Sequence, residues 1–233
     1  QREESLREVP AAITVLTESQ IQRSGIQRAT DFIALTPGVT IVDTAEVGDT
    51  QVSIRGLNGA RDAETSFGLV IDGITMTNPA ALNREYLGLS QIEVLKGPQG
   101  TLYGRNAANG VINLITARPT SEFEGKYSVD VGNFVKIQTE AVVNMPFSDS
   151  LRTRLAVLSN KRDGMITNTV TGKDFDDRSD TAFRLSVDYD ISDVTQLQFT
   201  YSDQESDDNR MQEEVSFCAQ SLFFGCSPFE RGG

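Results

Sequence analysis

The residues best placed to do chemistry are two acidic clusters and one glycine-rich run. Asp174, Asp176, Asp177 and Asp180 form the first cluster, and Asp203, Glu205, Asp207 and Asp208 the second. Carboxylate oxygens at that density are what calcium takes, yet neither cluster has the EF-hand spacing, and a solvated loop surface is the plainer reading. Paired acids also serve glycoside hydrolysis, but no Asp/Glu pair stands out by its context. Gly97, Gly100, Gly104 and Gly110 punctuate the glycine-rich run. No Gly-Lys-Ser/Thr follows them, so a phosphate-cradling P-loop is a weak reading. The chain has no His, which removes Ser-His-Asp and Cys-His catalysis and His-ligated zinc. Two Cys are too few for a zinc cluster or a disulfide scaffold. With 33 acidic against 21 basic residues the formal net charge is -12, which argues against nucleic acid as a partner.

The elements that must position these residues fall into two halves. The length of 233 residues and a hydrophobic share of 38% suit one large domain or two ordinary ones. The grammar changes near Arg118-Pro119-Thr120, so residues 1–118 and 119–233 are read as separate units. The first unit reads as a compact α+β domain. Ile13 to Leu16 suits a strand, and Thr17 or Ser19 can cap a short helix ending at Ser24-Gly25. A second helix fits Thr30 to Leu35 and is stopped by Pro37-Gly38. Strands follow at Val39 to Val42, Val52 to Arg55, Gln91 to Leu95 and Gly110 to Thr116. Gly68 to Ile71 and Ile74 to Met76 form a pair about a tight Asp72-Gly73 turn.

The second unit alternates strictly. Phe123, Tyr127, Val129 and Val131 oppose Glu124, Lys126, Ser128 and Asp130. The same two-residue period runs through 135–145, 151–157, 181–191 and 197–201. Short turns at Ser148-Asp149 and Ser192-Asp193 contrast with long polar loops at 163–180 and beyond 203, although the first outward connection, near Gly132-Asn133, is short too. The longest apolar run, Phe32 to Leu35, is far short of the ~20 residues a membrane helix needs. A β-barrel, however, hides its apolar residues in alternation. Aromatics near strand ends (Phe123, Phe147, Tyr189, Tyr201) suit an interfacial girdle. Period alone leaves a soluble β-sandwich and a membrane barrel evenly matched.

The stretch Ile92-Glu93-Val94-Leu95-Lys96-Gly97-Pro98-Gln99-Gly100-Thr101-Leu102-Tyr103-Gly104, continuing through Asn109-Gly110-Val111-Ile112-Asn113, closely resembles the late plug motif of TonB-dependent outer-membrane receptors. Ser53-Ile54-Arg55-Gly56 resembles that plug's "IRG" strand, Val70-Ile71-Asp72-Gly73 its "DG" turn, and Ala29 to Val39 its segment ending in "PGV". The order and spacing of these motifs agree with the family. The resemblance implies an α+β plug followed by the first antiparallel strands of a transmembrane barrel. Such a barrel has about 22 strands, of which roughly five are counted here. Gly56, Gly73, Gly97, Gly100, Gly104 and Gly110 are its motif glycines, expected at turns and at close backbone approaches.

The resemblance carries further expectations. Arg55 and Lys96 map to two plug cations that pair with barrel carboxylates and help seat the plug. Lys96 stands where the family usually has Arg and lacks the planar fork that grips a carboxylate with two bonds. The plain alternative is ordinary strand-end charge. Cys218 and Cys226 would sit in a cell-surface loop, where an oxidising setting favours a disulfide; two free thiols, or a redox pair in a cytosolic protein, are the alternatives. No catalytic residue, metal or cofactor is implied. The implied partners are the TonB-ExbB-ExbD inner-membrane complex, outer-membrane lipid and a scarce small-molecule ligand. Family members carry ferric siderophores, haem, cobalamin or oligosaccharides, with ferric siderophores the default. Segments 58–65 and 78–86 are candidate ligand contacts. The start at Gln1 without Met, and the end at Arg231-Gly232-Gly233, read as cut edges that leave out the TonB box and most of the barrel. The rival class is a soluble periplasmic or extracellular binding module, a plug followed by a β-sandwich.

Overall fold

The computed structural model describes residues 12–42, 51–58, 67–77, 82, 85–103, 107–167 and 171–207. The first unit contains β1 (Ala12–Thr17), α1 (Glu18–Arg23), α2 (Ala29–Ala34), β2 (Val39–Val42), β3 (Gln51–Ile54) and β4 (Leu57–Asn58). It continues with β5 (Phe67–Ile71), β6 (Ile74–Met76), β7 (Leu89–Lys96), α3 (Gly100–Tyr103) and β8 (Gly110–Thr116). Its main sheet has the order β1-β7-β8-β5-β6, and β2-β3-β4 form a smaller one.

Local chemistry explains the short helices. The Thr17 N–H donates to Gln20 Oε1 at 2.9 Å, closing the start of α1, and the chain turns out of it through Gly25 at φ +61°. Asp31 Oδ2 accepts the N–H groups of Gln27 and Arg28, both at 2.9 Å, and so caps α2. The helices bury Ile21, Phe32 and Ile33 against Ile92, Ile112 and Leu114 of the sheet. The parallel pair β5 and β8 is buried on both faces, which is why each reads as a continuous apolar run.

The second unit is one antiparallel sheet of β9 (Glu124–Gly132), β10 (Lys136–Pro146), β11 (Leu151–Arg162), β14 (Arg178–Ser192) and β15 (Thr195–Ser206). A small hairpin of β12 (Ile166–Thr167) and β13 (Asp174–Phe175) occupies the segment expected to be loop throughout. Also unforeseen were β4 and α3, both too short for a periodic signal. The connecting stretch 117–123 contains the expected division at 118/119.

This sheet is inverted relative to a soluble one. Phe123 and Val131 are each 73% exposed, whereas Asn144 is 0% and Asn160 1% exposed. Gln138, Asp180, Ser186 and Asp188 are also buried. The apolar positions point away from the first unit and the polar positions point toward it. A sandwich would bury the apolar face, so the expectation of a plug joined to a β-sandwich is overturned. Phe123, Phe147 and Tyr189 lie near the short-turn end of the sheet, as an interfacial girdle requires. Tyr201 does not. It pairs with Leu185 in the middle of its strand, because β15 runs on to Ser206.

The connecting stretch is tied to the sheet by one side chain. Asn144 of β10 accepts the Thr120 N–H at 2.9 Å and donates to Thr120 O at 3.0 Å and Thr120 Oγ1 at 2.8 Å; it also donates to Glu122 O. An amide nitrogen has two hydrogens, so these acceptors share them. Asn144→Ala should lower the stability of the complete protein by roughly 1–2 kcal/mol, because the bonds of a fully buried amide to Thr120 and Glu122 are lost. The urea midpoint of the folded, heat-modifiable gel band measures it, and an unchanged midpoint would contradict the role.

Candidate functional site

The contact between the first unit and the polar face of the sheet is the site the fold builds. Its apolar part is small. Leu87 packs against Val142, Ala156, Leu158 and Ala182. The rest is polar and falls at successive levels along β14.

At one level Arg28 Nε donates to Glu85 Oε1 at 2.6 Å, and Asn160 Nδ2 of β11 donates to the same oxygen at 3.2 Å. Arg28 is held here because it is the N-cap of α2. Asp180 of β14 lies close enough to act on the charge of both Arg28 and Glu85. Burial pushes the Glu85 carboxyl above the usual carboxylate range, and Asp180 adds to this; Arg28 and the Asn160 bond pull the other way.

At the next level the Asp72-Gly73 turn meets Arg184. Asp72 and Gly73 have φ of +50° and +83°, the paired left-handed values of a tight two-residue hairpin turn. This turn aims the Asp72 carboxylate back across the sheet. It accepts the Thr116 N–H at 2.8 Å and the Thr116 hydroxyl at 3.0 Å, and forms an ion pair with Arg184 Nη2. Arg184 Nη2 also donates to Thr116 Oγ1 at 2.8 Å. At the third level Arg118 lies 3.9 Å from Asp188 and donates to Gln198. Between the first two levels is a cavity of about 120 Å³, lined by Ile71, Met76, Glu85, Thr116, Arg184 and Gln204 among others. Its lining is about evenly polar and apolar, and it has room for several waters beside Glu85, Thr116 and Arg184.

The residues singled out from sequence are placed as follows. Arg55 and Lys96 come together at one edge of the plug. Arg55 Nη1 would lie 3.6 Å from a Cβ at Gly97, the residue after Lys96, and Lys96 Nζ donates to Pro37 O at 2.8 Å. Among the described residues neither pairs with a carboxylate. Gly56, Gly73 and Gly97 have positive φ. At Gly110 a Cβ would collide with the Leu95 carbonyl oxygen. Gly100 opens α3 with open space at its Cβ position and no positive φ, so the expected turn or close approach is absent there. Gly104, Cys218 and Cys226 lie outside the described residues, as do 59–66 and most of 78–84.

Glu85 and Tyr86 correct the candidate ligand segment. Glu85 faces Arg28 and Asn160, and the Tyr86 hydroxyl donates to Leu82 O at 2.7 Å. In the first acidic cluster Asp176 is taken by Arg162 and Arg178, both at 2.9 Å. Among the described residues no group of three or more acidic side chains converges on a metal position. Arg28, Asn144, Asn160 and Arg184 were not singled out from sequence, and Glu85 was named only within the candidate ligand segment. Their partners lie 22 to 112 residues away, so no local spacing reveals them. The one available signal was an uncharged Asn recurring on the polar face of two strands.

A small α+β domain seated against the polar face of an apolar-out sheet defines a plugged membrane barrel. Residues 5–111 match the family described as TonB-dependent Receptor Plug Domain. The catecholate siderophore receptor Fiu of Escherichia coli (strain K12) is 31% identical over 153 residues, 64% of this chain and 19% of its own length. The vitamin B12 transporter BtuB of Vibrio vulnificus (strain YJ016) is 28% identical over 199 residues, 82% of this chain and 32% of its own. The crystal structure of the ferric yersiniabactin uptake receptor FyuA from Yersinia pestis superposes with a TM-score of 0.78 at 23% identity, over 83% of this chain and 31% of that one. Residues 5–111 thus carry the TonB-dependent receptor plug domain, and the strands after them are arranged as the first barrel strands of such receptors. The chain spans about a fifth to a third of the length of these relatives.

The Glu85 carboxyl has a testable sign. A carboxyl whose pKa is raised in the folded state binds protons more readily folded than unfolded. Its cost to stability is therefore full above the folded pKa and is removed as pH falls through it. The thermal midpoint of the complete receptor minus that of its Glu85→Gln variant should rise between pH 7 and pH 5. A difference that falls over this window would reverse the assignment.

Proposed function

We propose that the complete receptor carries out energy-coupled uptake of a scarce ligand, a ferric siderophore, across the outer membrane. The observation that carries the reading is the plug seated on the polar face of a sheet whose apolar face is turned outward. The family match and the names of Fiu and FyuA support the ligand class. The outward Phe, Tyr, Val and Leu side chains face lipid. The ligand binds above the plug, and the TonB-ExbB-ExbD complex of the inner membrane pulls on the chain before β1. An extended segment there suits pairing with an edge strand of the partner.

The plug then rearranges and the ligand passes without covalent change, which makes the protein a transporter and not an enzyme. β1 is itself an edge strand, paired only to β7 among the described strands, so it is the element such a pull reaches first. Arg55 and Lys96 are assigned as seating cations for carboxylates elsewhere on the barrel, with Lys96 the weaker grip.

A second ligand has a specific observation behind it, since the cobalamin transporter aligns over 82% of this chain. Uptake of radioiron as ferric siderophore, and of labelled cobalamin, would be measured in iron-limited cells with and without the receptor and with and without TonB. Loss of most ferric uptake when either is deleted is the expected result. Loss of cobalamin uptake alone would reassign the ligand, and uptake of either that persists without TonB would overturn energy coupling.

A further inference from the structure

The polar face of β14 has a charge order that repeats every four residues. Asp180, Arg184 and Asp188 share that face, with Ala182 and Ser186 between them. Successive charges are thus about 13 Å apart along the strand. An opposite charge meets each. Arg28, itself paired with Glu85, lies near Asp180, Asp72 pairs with Arg184, and Arg118, at the start of the connecting stretch, stands 3.9 Å from Asp188. The wall therefore reads minus, plus, minus, and the groups that face it read plus, minus, plus, with Glu85 beside Arg28 on the first rung.

We infer that this alternating ladder fixes the axial seat of the plug, with the Asp72–Arg184 pair as its central clasp. The consequence is geometric. A plug displaced by one step along β14 brings Asp72 opposite Asp180 or Asp188, and brings Arg28 or Arg118 opposite Arg184. A one-step displacement sets like charges together at the central rung, so the observed seat is the one that pairs Asp72 with Arg184. The middle pair is the best built. Asp72 is fixed by its turn and by two hydrogen bonds from Thr116, and the Arg184 side chain is only 14% exposed. The outer rungs are softer. Arg118 is 59% exposed, and Asp180 acts on Arg28 through space rather than by a direct bond. Arg184 is thus a positioning residue for the plug. The inference rests on reading the two sheets as plug and wall, and not on the ligand or on TonB.

The test pulls single molecules of the complete receptor in a lipid bilayer through a handle at the N-terminus, at constant force, and reads the rate of plug release. No ligand or partner is needed, so a failure of the uptake reading leaves the result interpretable. Arg184→Gln and Asp72→Asn should each release about five- to tenfold faster, the scale of one charge-assisted, partly exposed pair. Asn tolerates the left-handed backbone and can keep the Thr116 bonds, so the second variant isolates the charge. The double variant should be no faster than either single one. Arg184→Glu should be faster still, because it turns the ladder into three like charges. Added salt should speed the wild type and leave Asp72→Asn nearly unmoved, and Arg184→Lys should restore most of the wild-type rate. Single effects that multiply in the double variant, or a wild-type rate insensitive to salt, would overturn the clasp. If Arg184→Glu fails to assemble, the Gln, Lys and Asn variants still decide it.

Discussion

A sheet that turns its Phe, Tyr, Val and Leu side chains outward and buries Asn, Gln and Asp needs two different surroundings at once. Lipid suits the outer face, since at about 25 cal/mol per Å² the exposed apolar area is a large cost in water. The inner face needs polar partners, because each buried polar group left unmatched costs of the order of 1–3 kcal/mol. The plug supplies those partners. This two-sided demand explains why the seam is built from Asn144, Asn160, Arg184 and Asp188 and not from a second hydrophobic core.

The balance of forces differs sharply between the plug and its seat. Inside the plug, Phe32, Ile92, Ile112 and Leu114 are fully buried, and each contributes on the order of 1.5–3 kcal/mol. Across the seam, Leu87 is the one buried apolar plug side chain in the cluster, and the remaining ties are individual hydrogen bonds and ion pairs. Partly exposed pairs of this kind contribute about 1 kcal/mol or less each. In the proposed uptake cycle, a plug that is held and then rearranged is well served by many small ties. Each can break alone, whereas a buried apolar interface would have to separate as a unit. The cavity between Glu85 and Arg184 fits the same logic, since polar groups beside water change partners at low cost.

Much of this was legible in the sequence. The period-2 alternation located the five long strands to within a few residues, because burial of one face imposes that period regardless of what lies beyond it. It did not say which face was inside, since solvent and a wet lumen accept the same side chains. The motif-bearing turns were legible for a different reason: Gly73 and Gly110 are demanded by backbone conformation or by close approach, a local requirement. The seam was opaque. Asp72 was visible only as a turn residue, and nothing within its hairpin announces an arginine 112 residues away. Glu85 read as part of a ligand-facing loop because its burial against Arg28 and Asn160 is a tertiary fact.

The Asp-Gly turn joins these levels of argument. A two-residue hairpin with both residues in the left-handed region requires small or locally bonding side chains, and Asp-Gly satisfies it. That same backbone throws the Asp72 carboxylate toward β8, where the Thr116 N–H and hydroxyl hold it. A carboxylate so fixed is already ordered before it meets Arg184, so pairing costs the entropy of only one long side chain. Thr116 is the last residue of β8, and the connecting stretch begins immediately after it. The turn therefore ties together the central parallel pair, the barrel wall and the start of the tether in a few ångströms. Under the proposed pull at β1, load carried through the sheet crosses β7 and β8 before it reaches β5 and this turn.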